Sequence, residues 1–287
     1  MRLGFLTRYS EEIVEFAGTD ESFECLEING PPDEWIGKSA KVKSSRSRAK
    51  ELLEENELSI ASFLYMNFPR IDISGRELSK QLNLLEEVMD TSKEMDVGVL
   101  TGAGPMGYDP SVSLEENVER YQKVYTRAAK VAEDHGVRIA FENWPGAGPF
   151  AEGANLTVTP EAWGLMFEAV PSKQIGLEFD PSHLLWQWID PFAAYDEFFD
   201  RVYVLHAKDT EIFEDRVKRS GVFSKGWWRY RLPGFAKFDW HRLFAMAHER
   251  GFEDAVIIEH EDPVFDDDRR LEGFHRCGRF LKGCILD

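Results

Sequence analysis

Leu177-Glu178-Phe179-Asp180-Pro181-Ser182-His183 closes an apolar run that begins at Ile175. Side chains of a strand alternate between its faces, so Leu177 and Phe179 share one side while Glu178 and Asp180 share the other. The strand must end at Asp180, because Pro181 donates no hydrogen bond to a sheet and suits the first turn of a helix. Two acids on the same face of a short strand, right at its end, suggest an interior lined for chemistry and an exterior covered by helices.

Three other runs end in the same way. They read Ile139-Ala140-Phe141-Glu142-Asn143-Trp144, Val204-Leu205-His206-Ala207-Lys208-Asp209 and Ile257-Ile258-Glu259-His260-Glu261-Asp262. Alternation turns Ile139 and Phe141 outward and leaves Ala140 and Glu142 inside; it likewise turns Val256 and Ile258 outward and leaves Ile257 and Glu259 inside. Val204 and His206 share a face. Glu142, Asp180, His206 and Glu259 can therefore meet at one point.

Eight apolar runs alternate with helix-period segments along the chain: Leu3–Thr7, Phe23–Ile28, Leu58–Tyr65, Val97–Thr101, Val137–Glu142, Ile175–Asp180, Val202–Ala207 and Ala255–Glu259. The helical segments are Glu11–Ala17, Ser45–Glu55, Ser74–Met95, Leu114–His135, Pro160–Val170, Pro191–Asp200, Asp239–Arg250 and Asp267–Leu281. Eight strand-helix units in 287 residues predict an α/β fold, the (β/α)8 TIM barrel. Thr159-Pro160 and Asp190-Pro191 read as helix starts, and Gly136 and Gly251 as helix stops. With no long Gly, Ser or Pro linker, residues 1–287 read as a single domain. Two long connections, 29–44 and 208–238, should lie over the C-terminal mouth of the barrel, where active sites are built. Packing against a partner subunit is the competing use of both, which leaves a homo-oligomer open.

Composition narrows the function. Thirty-four basic residues against 52 acidic ones give a formal charge of −18, a field that repels phosphate backbones and anionic membranes. Neither nucleic acid nor membrane is an expected partner. Three cysteines without CxxC spacing argue against a disulfide framework and a thiolate zinc site, and for a reducing cytoplasm. No leader with a cleavage site and no apolar run of about 18 residues is seen.

Three converging carboxylates repel one another and are costly to bury, unless a cation compensates them. Three carboxylates and one imidazole form an oxygen-rich set that favours Mn²⁺ and leaves Mg²⁺, Co²⁺ or Zn²⁺ as alternatives. Taken singly, each residue has a plainer reading. Asp180 before Pro181 looks like a helix cap, and a lone histidine at a strand end is more often a satisfied core residue. Four such residues on successive strands, all facing inward, outweigh those readings.

The strand ends resemble those of the xylose isomerase-like TIM barrel superfamily of sugar phosphate isomerases and epimerases, which also includes inositol-catabolism dehydratases and endonuclease IV. The resemblance is most specific from Val137 to Asp262. It implies that Glu142, Asp180, His206 and Glu259 hold the metal and that Glu142 and Glu259 are the catalytic acid/base pair. It also implies that His183 hydrogen-bonds a small carbohydrate. Endonuclease IV adds histidines on its earlier strands, whereas the first histidine here is His135, so the DNA-repair branch is set aside.

Arg216 to Gly234 form a basic, aromatic island that resembles the family's substrate-closing segment, with Arg229 or Arg231 as the substrate contact. Trp144 is expected to line the pocket. Lys208, two residues past His206, faces the same cavity and either polarises a substrate oxygen or pairs with Glu178, Asp180 or Glu261. Glu261 could replace Glu259 as ligand, but Glu259 ends the apolar run and is preferred. The expected activity is isomerisation or epimerisation of a sugar through an enediolate. The alternative is dehydration of a keto-inositol or sugar acid, and a non-enzymatic carbohydrate-binding barrel is the less favoured third reading.

Overall fold

The structure, a computed structural model, describes residues 1–146 and 155–286. Its strands, in chain order, are β1 (Arg2–Thr7), β2 (Cys25–Ile28), β3 (Ser59–Leu64), β4 (Val99–Ala103), β5 (Arg138–Glu142), β6 (Ile175–Phe179), β7 (Val202–Ala207), β8 (Asp209–Ile212), β9 (Trp228–Arg231) and β10 (Ala255–Ile258). Eight of them close a barrel in the order β1-β2-β3-β4-β5-β6-β7-β10, with β10 pairing back to β1 and every pair parallel. This is the TIM-barrel closure expected from the eight apolar runs.

The expected alternation is realised apart from Tyr203 and Val204, neighbours in β7 that share one cluster beside a register shift. Cys25, Ala61, Val99, Ala140, Tyr203, Val204, Ala255 and Ile257 pack together in the barrel lumen. Ile139, Phe141, Leu177, Phe179, Leu205, Val256 and Ile258 belong instead to the large core between strands and helices. Lumen packing depends on small residues where a large one crosses: a Cβ at Gly176 would stand 2.4 Å from the Tyr203 ring and 2.3 Å from the Arg201 carbonyl oxygen. The register between β6 and β7 shifts at Leu177/Glu178, next to the acidic strand end.

Helix ends follow the chemistry of their caps. The Thr159 and Asp190 side chains accept from Ala162 N–H and Phe192 N–H, each with proline in the first turn. Gly136 stops the helix Leu114–His135 in the left-handed conformation, at φ 67°.

Both long connections carry more structure than their sequence suggests. In 29–44 there is a short 3₁₀ turn, Asp33–Trp35, and the next helix is Ala40–Glu55, starting well before Ser45. Its early turns escape an apolar pattern because the residue they bury is Arg46, whose guanidinium donates to the carbonyls of Trp35 and Gly37. In 208–238, β8 and β9 form an antiparallel hairpin around the helix Glu214–Ser220. A six-residue helix, Pro181–Trp186, also follows β6 directly. The segment expected as Pro191–Asp200 is helical to Phe198 and then tightens to 3₁₀ over Phe199–Arg201, and the last helix, Arg270–Lys282, is preceded by a 3₁₀ turn.

Candidate metal centre

Each candidate side chain arrives from a different barrel strand. Glu142 is the last residue of β5, Asp180 follows β6, His206 lies in β7 and Glu259 follows β10. Glu142, Asp180 and His206 are buried, and Glu259 has 16% of its side chain exposed. Asp180 is both things its sequence suggests. Its Oδ1 caps the helix Pro181–Trp186 by accepting from Ser182 N–H at 2.8 Å, while the buried Oδ2 accepts no hydrogen bond. The backbone there is fixed by Asn143, whose amide accepts from Asp180 N–H and donates to the Asp180 carbonyl, both at 2.8 Å.

Glu142, Asp180, His183 and Glu259 each offer a ligand atom within 4.8 Å of the others. His206 stands at the edge of this set, with Nδ1 3.2 Å from Glu259 Oε2 and 3.6 Å from Glu142 Oε1. His183 is nearer to Glu142, at 3.1 Å through Nε2, and its Nδ1 is 2.8 Å from the Tyr230 hydroxyl. Lys208 reaches into the same cluster. Its Nζ lies 3.2 Å from Asp180 Oδ2, 2.5 Å from Glu259 Oε2 and 3.0 Å from Glu261 Oε2, with the Tyr230 ring 4.5 Å away.

Burial and mutual charge set the protonation states. Burial works against charge on Glu142, yet the hydrogen bond from His183 and the nearness of His206 hold its carboxyl well below the usual range. Glu259 is also lowered: burial opposes ionisation, but Lys208 overcomes it. Burial also works against charge on Lys208, while Asp180, Glu259 and Glu261 keep its ammonium protonated well above its ordinary value. Partial burial pushes the Glu261 carboxyl up, Lys208 draws it down and Glu259 repels it again, with a net rise.

Beneath these groups is a second acidic layer. Glu178 Oε1 is 2.7 Å from His206 Nε2, and Glu27 Oε1 of β2 is 3.4 Å from the same nitrogen. Ser62 Oγ donates to Glu27 Oε2 at 2.6 Å. Burial first, then repulsion from Glu27, raises the Glu178 carboxyl well above its ordinary value, and His206 only partly offsets this. Sequence reading missed Glu27, although its alternation with buried Cys25 on β2 was the available sign.

The hairpin roofs the cluster with its aromatic face. Trp228 stacks on Trp186 at 4.9 Å and 2°, and the Tyr230 hydroxyl accepts from Trp186 Nε1 at 3.3 Å. Arg229 and Arg231 take the opposite side. Arg229 Nε donates to Glu211 at 2.6 Å, and Arg231 donates to Glu211 at 3.1 Å and to Asp262 at 2.8 Å. Arg229 therefore ties β9 to β8 within the hairpin, and Arg231 also pins the hairpin to the segment after β10 through Asp262. Trp144 is half-buried at the start of the connection after β5, its carbonyl accepting from Asn155. Tyr230, with no role assigned from sequence, is the hairpin residue that touches His183.

Comparisons with known proteins agree with this architecture. Among curated relatives, an uncharacterised protein, YfiH of Bacillus subtilis, is 29% identical over 48% of the chain and 45% of its own length. An inosose dehydratase of Clostridium beijerinckii is 25% identical over 48% of the chain and 45% of its own length. The chain thus spans about half the length of these relatives. Among solved structures, D-psicose 3-epimerase with D-tagatose from Clostridium cellulolyticum H10 superposes with a TM-score of 0.74 at 14% identity, over 100% of both chains. The IOLI protein with a bound zinc atom superposes with a TM-score of 0.69 at 17% identity, over 99% of this chain and 96% of that one. The family described as xylose isomerase-like TIM barrel matches residues 19–276, and the chain belongs to it.

Proposed function

We propose that the protein is a divalent-metal-dependent isomerase or epimerase acting on a small sugar or sugar derivative. The observation that carries the proposal is the gathering of Glu142, Asp180, His183 and Glu259 within 4.8 Å at the strand ends, with His206 against their edge. The donor set fits a hard cation: it is rich in carboxylate oxygen, and Asp180 Oδ2 is buried without a hydrogen bond. Glu142, Asp180, His206 and Glu259 are the proposed ligands. His206 is preferred to His183 because its buried Nδ1 makes no hydrogen bond, whereas both nitrogens of His183 are engaged, with Glu142 and Tyr230. Mn²⁺ is the favoured ion for so oxygen-rich a set, and the zinc in the IOLI protein lends support to a divalent site.

Bound there, the ion would stabilise negative charge on a substrate carbonyl and its neighbouring hydroxyl. The chain's own residues supply the rest. Glu142 and Glu259 project from β5 and from just beyond β10, with β6 and β7 between them, and so flank a substrate from two sides. One carboxylate takes a proton from the carbon beside the carbonyl and the other returns one to the opposite face. His183, steadied by Tyr230, and Lys208 are placed to bind hydroxyl oxygens. Trp186 and Trp228 offer a paired apolar wall for the carbon face of a ring.

Dehydration is the second reading. It is favoured by the Lys208–Glu261 pair beside Glu259, which puts a proton donor where a hydroxyl could depart, and by the likeness to an inosose dehydratase. Incubation of the Mn²⁺-loaded protein with ketoses and inososes in deuterated water separates the two. Epimerisation places one deuterium on carbon with no loss of water; dehydration loses water from the product. Glu142→Gln is expected to lower turnover by about 10²- to 10⁴-fold with the fold retained. Failure to bind any divalent ion, together with no conversion of either substrate class, overturns the proposal.

A further inference from the structure

The acidic layer beneath the cluster takes no part in the chemistry above, yet two of its carboxylates lie in the barrel lumen with no exposure. Glu178 Oε1 stands 2.7 Å from His206 Nε2, and among the described residues neither oxygen of Glu178 accepts a hydrogen bond. The hydrogen bond of Nε2 goes instead to Glu27 Oε1, at 3.4 Å, and the other oxygen of Glu27 accepts from Ser62 at 2.6 Å. The opposite edge of the imidazole, Nδ1, faces Glu142 and Glu259. His206 is thus a ring with one edge toward the candidate ion and the other toward a closed acidic floor.

We infer that Glu27 and Glu178 together are the positioning residues that fix His206 as a metal ligand. With Nε2–H bonded to Glu27 Oε1 and flanked by Glu178, the Nδ1 lone pair is left for the cation. Glu27 is itself anchored by Ser62. Glu27, Glu178 and His206 also each offer a ligand atom within 4.8 Å of the others, so the stoichiometry of bound ions separates a second cation there from a positioning role. The sequence shows how the device is built: Glu178 and Asp180 are two residues apart on β6, so one alternation puts the ligand on top and its supporter below.

This inference rests on His206 being a ligand, and the experiment keeps the two claims apart. Mn²⁺ affinity is measured by the electron paramagnetic resonance of free Mn²⁺ for the full-length wild type and for Glu178→Gln, Glu178→Asp and Glu27→Gln. Glu178→Gln, Glu178→Asp and Glu27→Gln should each bind about 10- to 100-fold more weakly. In the Zn²⁺-loaded wild type, nitrogen-15 spectra of the histidines should find His206 protonated at Nε2 and bound through Nδ1. Wild-type affinity in the Glu178 variants, a His206 protonated at Nδ1, or a stoichiometry of two ions overturns the positioning role while leaving the metal site standing. A wild type that binds no divalent ion overturns both.

Discussion

Asp209 follows Lys208 by one residue, but its burden is structural. Its carboxylate accepts from the backbone N–H of Thr210 at 2.7 Å and of Phe238 at 3.3 Å, tying the root of the hairpin to the segment before the helix Trp240–Glu249. Burial pushes its carboxyl up to about 6, against those hydrogen bonds. The folded value lies above that of an unfolded aspartate, about 3.9. The stabilising contribution is therefore complete below about pH 4 and is lost as the pH rises through about 6. Asp209→Asn keeps an acceptor and does not titrate. Wild-type stability relative to Asp209→Asn should accordingly rise between pH 7 and pH 4, by on the order of 2–3 kcal/mol. Urea unfolding at the two pH values checks this, and a difference of the opposite sign refutes the burial account.

At the scale of elements, a buried ion pair ties the hairpin to the segment after β10, and a more exposed one ties its own two strands together. Burial opposes charge on Asp262, but Arg231 and the backbone N–H groups of Val264 and Leu232 bring its carboxyl below the ordinary range. Asp262 is fully buried and Arg231 only 10% exposed, whereas Arg229 is 38% exposed against Glu211. Arg231→Met should cost about 3–5 kcal/mol by leaving a buried carboxylate without its cation. Arg229→Met should cost about 1 kcal/mol or less. Urea titration of both variants measures the contrast. The same comparison explains what could be read beforehand. Barrel strands declare themselves because each is a local apolar run ending where its helix cap begins, as at Asp180-Pro181, and the inward register of Glu142, Asp180, His206 and Glu259 follows from alternation alone. The hairpin does not, because its pairing joins Asp209–Ile212 to Trp228–Arg231 across a helix and its strands carry charge on one side. Glu27 was hidden for a related reason: its partner His206 lies 179 residues away, and nothing next to Glu27 marks that distant contact.

For the whole molecule, a formal charge of −18 and an acidic lumen make the native state responsive to cations. Among the described residues no helix is long and apolar enough to cross a membrane. If the strand-end carboxylates hold one divalent ion, Mn²⁺ at about 100 times its dissociation constant should add about 2.7 kcal/mol to the unfolding free energy. The gain should disappear with a chelator and in Asp180→Asn, both followed by thermal unfolding. A melting temperature unmoved by Mn²⁺ would contradict the site.

The placing of the aromatic roof on β8 and β9, an insert between β7 and the helix Trp240–Glu249, carries an evolutionary corollary. Apart from Lys208 and Asp209 at its root, that stretch could be exchanged for a relative's without altering Glu142, Asp180, His206 or Glu259. If the roof faces the substrate as proposed, substrate preference and ligand set lie on separate tracts of polypeptide, and a lineage could retune the first by grafting while the second stays as it was.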